Sequence, residues 1–274
     1  MTKNAVPVSP YLSASRNIAG AGGFAESVDA KTVEVPDLQV SYSDVAAYLR
    51  CGRSYLLRTR LGFLPPVSDE LGYGNAVHHV MRVIAERTKA EGVLPSAAEI
   101  DSLIDSDFFL PFANKPAHKQ MKDRARALVQ SYVDTYPDEF LRTWATERPF
   151  ELYLDGIVVS GRADVIYDEH DGIPENLAIV DYKTATGPEV EPLQLQIYAD
   201  AGRREGLTVA AAFVHDMGKA TRHSVDVGDA AVQGAEAQVE MAAQGLRSLS
   251  FAASPSKDKC KHCDVRLLCR DAAV

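Results

Sequence analysis

The sequence predicts a mixed α/β fold with a largely helical first part, a sheet-forming middle and a cysteine-rich C-terminal tail. Three observations carry this expectation. Apolar residues recur at helical spacing between about 41 and 140, alternating and β-branched residues follow from Glu147, and Cys260, Cys263 and Cys269 crowd into the final stretch. With 274 residues, 46% hydrophobic and 24% charged, the chain has the composition of a globular protein able to bury a core. No apolar run approaches the ~18 residues of a spanning helix, and the opening MTKNAVPVSP lacks a signal-peptide core. The expected setting is cytoplasmic, with no membrane contact. Reducing cytosol argues against disulfides, so the four cysteines point to metal binding or reactivity.

Residues 1–38 are rich in Ala, Gly, Ser and Pro and read as a flexible leader or linker. From Ser41 to about Gly62 the pattern is helical, with Val45, Tyr48, Leu49, Tyr55 and Leu56 as apolar contacts and Cys51 at a bend before Gly52. A second helix is expected over 75–90, where Val77, Val80, Met81 and Ile84 recur at helical spacing, and others around 96–107 and 119–135. The texture then changes. ERPFELYLDGIVVSGRADVIYDE reads as a hairpin turning at Asp155-Gly156. LAIVDYKT is a short buried strand, followed by a helix over 190–205, a strand over 209–215, a weaker strand near 223–227 and an Ala-rich helix to about Leu249. The mixed sheet core thus spans about 145–250 and the tail 255–271.

A formal charge of −9 would ordinarily disfavour nucleic acid, but the average hides a segregation. Residues 45–68 carry Arg50, Arg53, Arg58 and Arg60 and no acid, and residues 251–274 are also net basic. Both stretches contain the cysteines, so any device that gathers the thiols gathers these cations.

The residues with the clearest chemistry are Asp164, Asp181 and Lys183. Strand periodicity puts Asp181 and Lys183 on one face and Tyr182 on the other. If the neighbouring strand brings Asp164 alongside, two carboxylates and an ammonium converge, an arrangement that is costly unless an ion or substrate uses it. Hard carboxylate oxygens suit Mg²⁺ or Mn²⁺, which can assist phosphodiester hydrolysis, and Lys183 supplies a complementary cation. Alone, D-x-K more often marks an exposed ion pair at a strand end.

The neighbouring motifs change that balance. SYSDVAAYLRC, GNAVHHVM, SGRADVI, VDYKTA, LQLQIYA and CKHCDVRLLC occur in this order between about 40 and 270. Together they resemble the PD-(D/E)xK nuclease superfamily, in particular its RecB-like branch of helicase-linked and CRISPR-associated exonucleases. The resemblance implies a restriction-endonuclease-like core over 39–274. It also implies a metal set of His78, Asp164, Asp181 and the main-chain carbonyl of Tyr182, with Lys183 as the catalytic cation. Gln194 and Tyr198, four apart on one helical face, would support the lysine or contact DNA and brace the site. Glu147, placed just before the first strand of the hairpin, is a lesser acidic candidate. The implied activity is metal-dependent cleavage of DNA, with single strands or ends preferred, in repair, recombination or defence. A helicase partner or fusion would supply any motor, because the chain has no G-x-x-x-x-G-K-[ST] pattern. The alternative is a non-catalytic DNA-binding scaffold in a helicase–nuclease complex. Two departures from the family pattern concern backbone shape: Gly52 follows Cys51 where proline is usual, and Val180 precedes Asp181 in place of proline.

Four thiolates can hold zinc or an iron–sulfur cluster. The three-plus-one distribution, with Cys51 far upstream of Cys260, Cys263 and Cys269, is that of RecB-like nucleases with a [4Fe-4S] cluster. His262 among the tail cysteines keeps Zn²⁺ as the alternative. A bound cluster would clip the tail to the first helix and close a loop over most of the chain, restricting the unfolded state. Cys260→Ala is therefore expected to lose iron, visible absorbance and thermal stability together, as read by metal analysis, absorption spectra and thermal melts. Full iron stoichiometry in that variant would overturn the assignment.

Overall fold

The computed structural model describes residues 37–169, 176–184 and 192–273. Of the expected leader, residues 1–36 lie outside the described residues, and its last position already belongs to a strand, β1 (Leu38–Ser41). Four residues of unremarkable composition gave no signal for β1; it exists through pairing with a distant strand. Helix α1 (Tyr42–Arg50) begins at Ser41 with reciprocal capping. The Ser41 hydroxyl accepts the Asp44 N–H at 3.1 Å and the Asp44 carboxylate accepts the Ser41 N–H at 3.1 Å, so two otherwise orphaned donors are satisfied. Extended backbone at Cys51 ends α1, and α2 (Gly52–Tyr55) runs on into a π-helical turn over Leu56–Arg60.

The helical part continues with α3 (Tyr73–Glu91), α4 (Ala97–Asp107), α5 (Lys115–Thr135) and the short α6 (Pro137–Leu141). Helix α5 starts four residues before its expected position because Asn114 caps it, accepting the Ala117 N–H at 3.0 Å. The hairpin follows as β2 (Thr143–Leu154) and β3 (Ile157–Asp168), turning at Asp155-Gly156 as expected. Then come β4 (Leu177–Lys183), α7 (Leu193–Arg204), β5 (Val209–Asp216), β6 (Thr221–Ser224) and α8 (Asp229–Arg247). The tail contains α9 (Lys257–Lys261) and a 3₁₀ turn at Arg266–Leu268. Strand β6 corrects the expected strand near 223–227. Val225 and Val227 lie just beyond the β5–β6 ladder and instead enter the apolar layer, each 5% exposed.

The sheet is mixed, with helices on both faces. On one side Val45 of α1, Leu195 and Ile197 of α7 and Val239 of α8 pack with Ile157, Val159 and Ile179. On the other, α3, α4 and α5 contribute Val80, Ile84, Ile104 and Val129 against Val165, Val180 and Tyr182. Strand β4 lies between these layers, which explains its almost uninterrupted apolar run.

Strand β3 organises the sheet. One edge pairs along its whole length with β2, whereas the other is divided between two partners. Residues 157–160 pair in parallel with β1, and residues 165–168 pair antiparallel with β4. The interval 161–164 is left to side chains. The Tyr198 hydroxyl accepts the Arg162 N–H at 3.1 Å, and Asp164 reaches across to accept the Tyr182 N–H at 2.8 Å. Backbone donors that a continuous ladder would satisfy are thus met by functional groups.

The tail packs against α1 and α2 by direct contacts. Tyr48 donates to the Ser250 carbonyl at 2.6 Å, and Tyr55 stacks on Phe251 with ring centroids 6.2 Å apart. The Arg53 N–H meets the Ala252 carbonyl at 3.2 Å. A Cβ at Gly52 would come within 2.9 Å of that same carbonyl oxygen, so the glycine after Cys51 is the residue that lets the tail approach.

Candidate active site

The site forms where β3 and β4 part. Asp164 lies in the divided edge of β3, and its Oδ2 is occupied by the Tyr182 N–H. Its Oδ1 lies 3.3 Å from Nδ1 of His78, which α3 presents from the helical side. Adjacent His79 faces elsewhere, with Nε2 3.5 Å from Asp107 and Nδ1 2.9 Å from Arg82. One position along α3 rotates a side chain by about 100°, enough to separate the two imidazoles.

On β4, Asp181 and Lys183 project together, with Nζ 2.8 Å from Oδ2. The Asp181 side chain is 7% exposed and that of Lys183 50%. The Lys183 ammonium is the partner that meets this buried carboxylate. A carboxylate this deeply buried is costly to keep charged without such a partner. Burial raises the Asp181 pKa, with the Asp164 charge acting in the same direction and Lys183 opposing. Burial also depresses His78, but its hydrogen bond to Asp164 and the charges of Asp164 and Asp181 outweigh this, so its pKa is raised.

Tyr182 points to the opposite face, where its hydroxyl and that of Tyr167 lie 2.6 Å apart in the core. Any contribution from Tyr182 to the site is therefore through the main chain. Helix α7 supplies Gln194 and Tyr198. Lys183 Nζ donates to Gln194 Oε1 at 3.4 Å, Gln194 Nε2 donates to the Tyr198 hydroxyl at 3.4 Å, and that hydroxyl receives the Arg162 N–H. A relay of hydrogen bonds thus runs from the β4 lysine to the β3 backbone.

Glu147 requires correction. It lies inside β2 rather than before the hairpin, and its carboxylate is 2.8 Å from Arg162. Strand β2 extends further back than expected, with Thr143, Ala145 and Thr146 pairing with β3; Thr143, Trp144 and Thr146 are of residue types that favour strands. Arg162 was not singled out from sequence. Its position two residues before Asp164 in SGRADVI was the available signal.

The four cysteines line one cleft of about 790 Å³ with Lys183 and Gln194. Donors already point at the sulfurs: the Ser254 N–H at 3.4 Å from Cys51 Sγ and the Ala273 N–H at 3.4 Å from Cys260 Sγ, with the Ser54 hydroxyl 3.7 Å from Cys263 Sγ. Among the described residues, no group of three or more His, Cys, Asp or Glu side chains is arranged closely enough to hold a metal ion as it stands.

A model of the PD-(D/E)XK nuclease superfamily matches residues 39–270. The chain belongs to this superfamily. Its mixed sheet flanked by helices is consistent with the restriction-endonuclease-like core, and PD-(D/E)XK nucleases typically use a divalent metal. Among solved structures, a "putative exonuclease" from Eubacterium rectale is 18% identical with a TM-score of 0.46, over 93% of this chain and 96% of that one. The protein SSO0001 is 17% identical with a TM-score of 0.36, over 74% of this chain and 86% of that one. No curated protein matches the chain. Among the described residues, no helix is long and apolar enough to cross a membrane.

The packing around Tyr198 can be tested directly. A Cβ at Gly161 would lie 2.3–2.6 Å from the Tyr198 ring and hydroxyl, whereas one at Gly234 in α8 meets nothing within 4 Å. Gly161→Ala is expected to destabilise the protein by about 1–3 kcal/mol through overpacking. Gly234→Ala should be neutral or stabilising by up to about 1 kcal/mol. Urea unfolding of the two variants measures the contrast, and equal effects would contradict the packing described.

Proposed function

We propose that this member of the superfamily is a divalent-metal-dependent deoxyribonuclease of the RecB-like branch, acting on single-stranded DNA or DNA ends. The convergence of His78, Asp164, Asp181 and Lys183 at the parting of β3 and β4 carries the proposal, with the buried Asp181 carboxylate held against the half-exposed Lys183 as its sharpest element. Two carboxylates and an imidazole form a donor set suited to a small divalent ion. His78, Asp164, Asp181 and the Tyr182 carbonyl would hold Mg²⁺ or Mn²⁺, whose Lewis acidity would polarise the phosphodiester. Holding the ion would require Asp181 to give up its Lys183 contact and His78 its Asp164 contact. Lys183, half exposed, then faces the substrate phosphate and balances negative charge developing on its oxygens. Gln194 keeps the ammonium on that side, and Tyr198 holds Gln194 against β3. Repair, recombination or defence, with a helicase as partner, is the setting this reading implies.

The cysteines support the second half of the proposal, a [4Fe-4S] cluster on Cys51, Cys260, Cys263 and Cys269. They face one cleft, and main-chain N–H groups meet two of the sulfurs, the kind of hydrogen bonding that tunes thiolate ligands. Zinc remains the competing occupant, and iron content separates the two.

Digestion of end-labelled linear and circular single-stranded DNA with Mg²⁺ or Mn²⁺ tests the activity. The wild-type chain should degrade the linear strand only when metal is present. Asp181→Ala should lower the rate by at least about 10²-fold, in the range of losing one key electrostatic group, while circular dichroism stays unchanged. Cleavage by Asp181→Ala at the wild-type rate would defeat the assignment.

A further inference from the structure

Between the π-helical turn and α3 the chain carries an unusual surface. Leu61, Phe63, Leu64, Val67 and Leu71 are all exposed, Leu64 by 74% and Phe63 by 45%. A second loop bearing exposed Phe109 and Phe112 is tied to this segment, since the Asn114 side chain donates to Asp69 at 3.1 Å. Scattered exposed apolar residues need no explanation, but five of them within eleven positions, with Phe109 and Phe112 on the loop tied to them, mark a candidate binding surface. The run follows directly on Arg58 and Arg60, and Pro65-Pro66 limits its backbone freedom.

The occupant is indicated by charge and by continuity with the site. Arg58 and Leu64 line the same cleft as Lys183 and the four cysteines, so a strand would pass beside the cluster proposed above and not through the space it fills. The cations lining that cleft are Arg50, Arg58, Lys183, Lys219, Lys259 and Arg266, against only Asp44, Asp216 and Asp271. Three of these cations already face carboxylates, Arg58 at Asp264, Lys183 at Asp181 and Lys219 at Asp216. Arg50, Lys259 and Arg266 have no ion pair among the described residues, so in a chain of net charge −9 the cleft keeps an excess of positive charge that complements a phosphate backbone. Cations that track phosphates beside aromatic side chains that stack on base faces are the working parts of a single-strand binding surface, and Phe63, Phe109 and Phe112 are the exposed aromatics here. A duplex keeps its base faces stacked inside and offers them to no side chain.

We propose that residues 58–71 form a guide for single-stranded nucleic acid, with Arg58 and Arg60 on phosphates, Phe63 stacked on an unpaired base and Leu64 packed beside it, leading the strand towards Lys183. The inference rests on the nuclease reading above and specifies its substrate: a strand with accessible bases, held outside the reacting centre. Arg58 also pairs with Asp264 at 3.0 Å, which joins the guide to the cysteine tail.

The test uses the full chain carrying Asp181→Ala, so that the strand is bound and not cut. Fluorescence anisotropy compares a labelled DNA single strand, the same strand with a central abasic run, and a blunt duplex. The parent should bind the intact strand about tenfold more tightly than the abasic one, and the duplex more weakly than the intact strand. Adding Phe63→Ala and Leu64→Ala should weaken the intact strand by about tenfold and leave the abasic strand unchanged, a loss at the scale of one base stack. Both residues are exposed, and a thermal melt matching the parent's verifies the fold. Unchanged affinity for the intact strand, or equal weakening on both strands, would overturn the guide while leaving the nuclease reading intact. Loss of parental self-association in the double variant, with strand affinity unaltered, would assign the patch to a protein contact and also overturn it. Failure of the parent to bind any of the three would bring down the nuclease reading and the guide together.

Discussion

The divided edge of β3 is the constraint on which the rest of the structure depends. A strand whose edge is shared between a parallel partner, β1, and an antiparallel one, β4, leaves a short interval without backbone partners. Buried main-chain donors do not tolerate such a gap, and here it is closed by Asp164 on Tyr182 and by Tyr198 on Arg162. The same requirement that completes the sheet therefore fixes a carboxylate at the parting of two strands. It also brings α7 close enough for Gln194 to reach Lys183. Gly161 follows from the same geometry, because the Tyr198 ring occupies the space a side chain would need.

Both apolar layers hold this arrangement in register. A slip of one residue in β4 would exchange the faces of Asp181 and Tyr182, placing a carboxylate where the Tyr167 hydroxyl now meets Tyr182 and an aromatic ring among the charged groups of the site. Val180 and Ile179, each fully buried on opposite sides, oppose that slip with roughly 1.5–3 kcal/mol of burial apiece. The helical layer sets the third direction of the site, since α3 must bury Val77, Val80, Met81 and Ile84, which leaves His78 directed at Asp164. The tail is held in a different way. Its aromatic and main-chain contacts with α1 and α2 already collect the cysteines along one cleft, so the proposed cluster would reinforce a docking that packing begins.

Much of this was legible in the sequence, and the exceptions share a cause. The Asp155-Gly156 hairpin, the helical spacing in α3 and the apolar run of β4 are local signals, and each corresponds to an element of the fold. Two-residue periodicity in β4 separated Asp181 and Lys183 from Tyr182. What could not be read was set by distant pairing. Strand β1 has only LQVS to announce it, Glu147 was assigned to the approach of a strand that in fact encloses it, and Val225 and Val227 imitate a strand while serving the core. Arg162 went unnoticed because its significance depends on Glu147 and Tyr198, fifteen and thirty-six positions away.

The central claim is that His78, Asp164 and Asp181 hold one divalent cation beside Lys183. Crystals grown with Mn²⁺ and measured at its absorption edge test this most directly. The account predicts an anomalous peak bonded to the imidazole and to both carboxylates, with the lysine ammonium displaced from Asp181. Ordered Mn²⁺ elsewhere in the crystal, with Lys183 still seated on Asp181 and no peak between the three side chains, would contradict it.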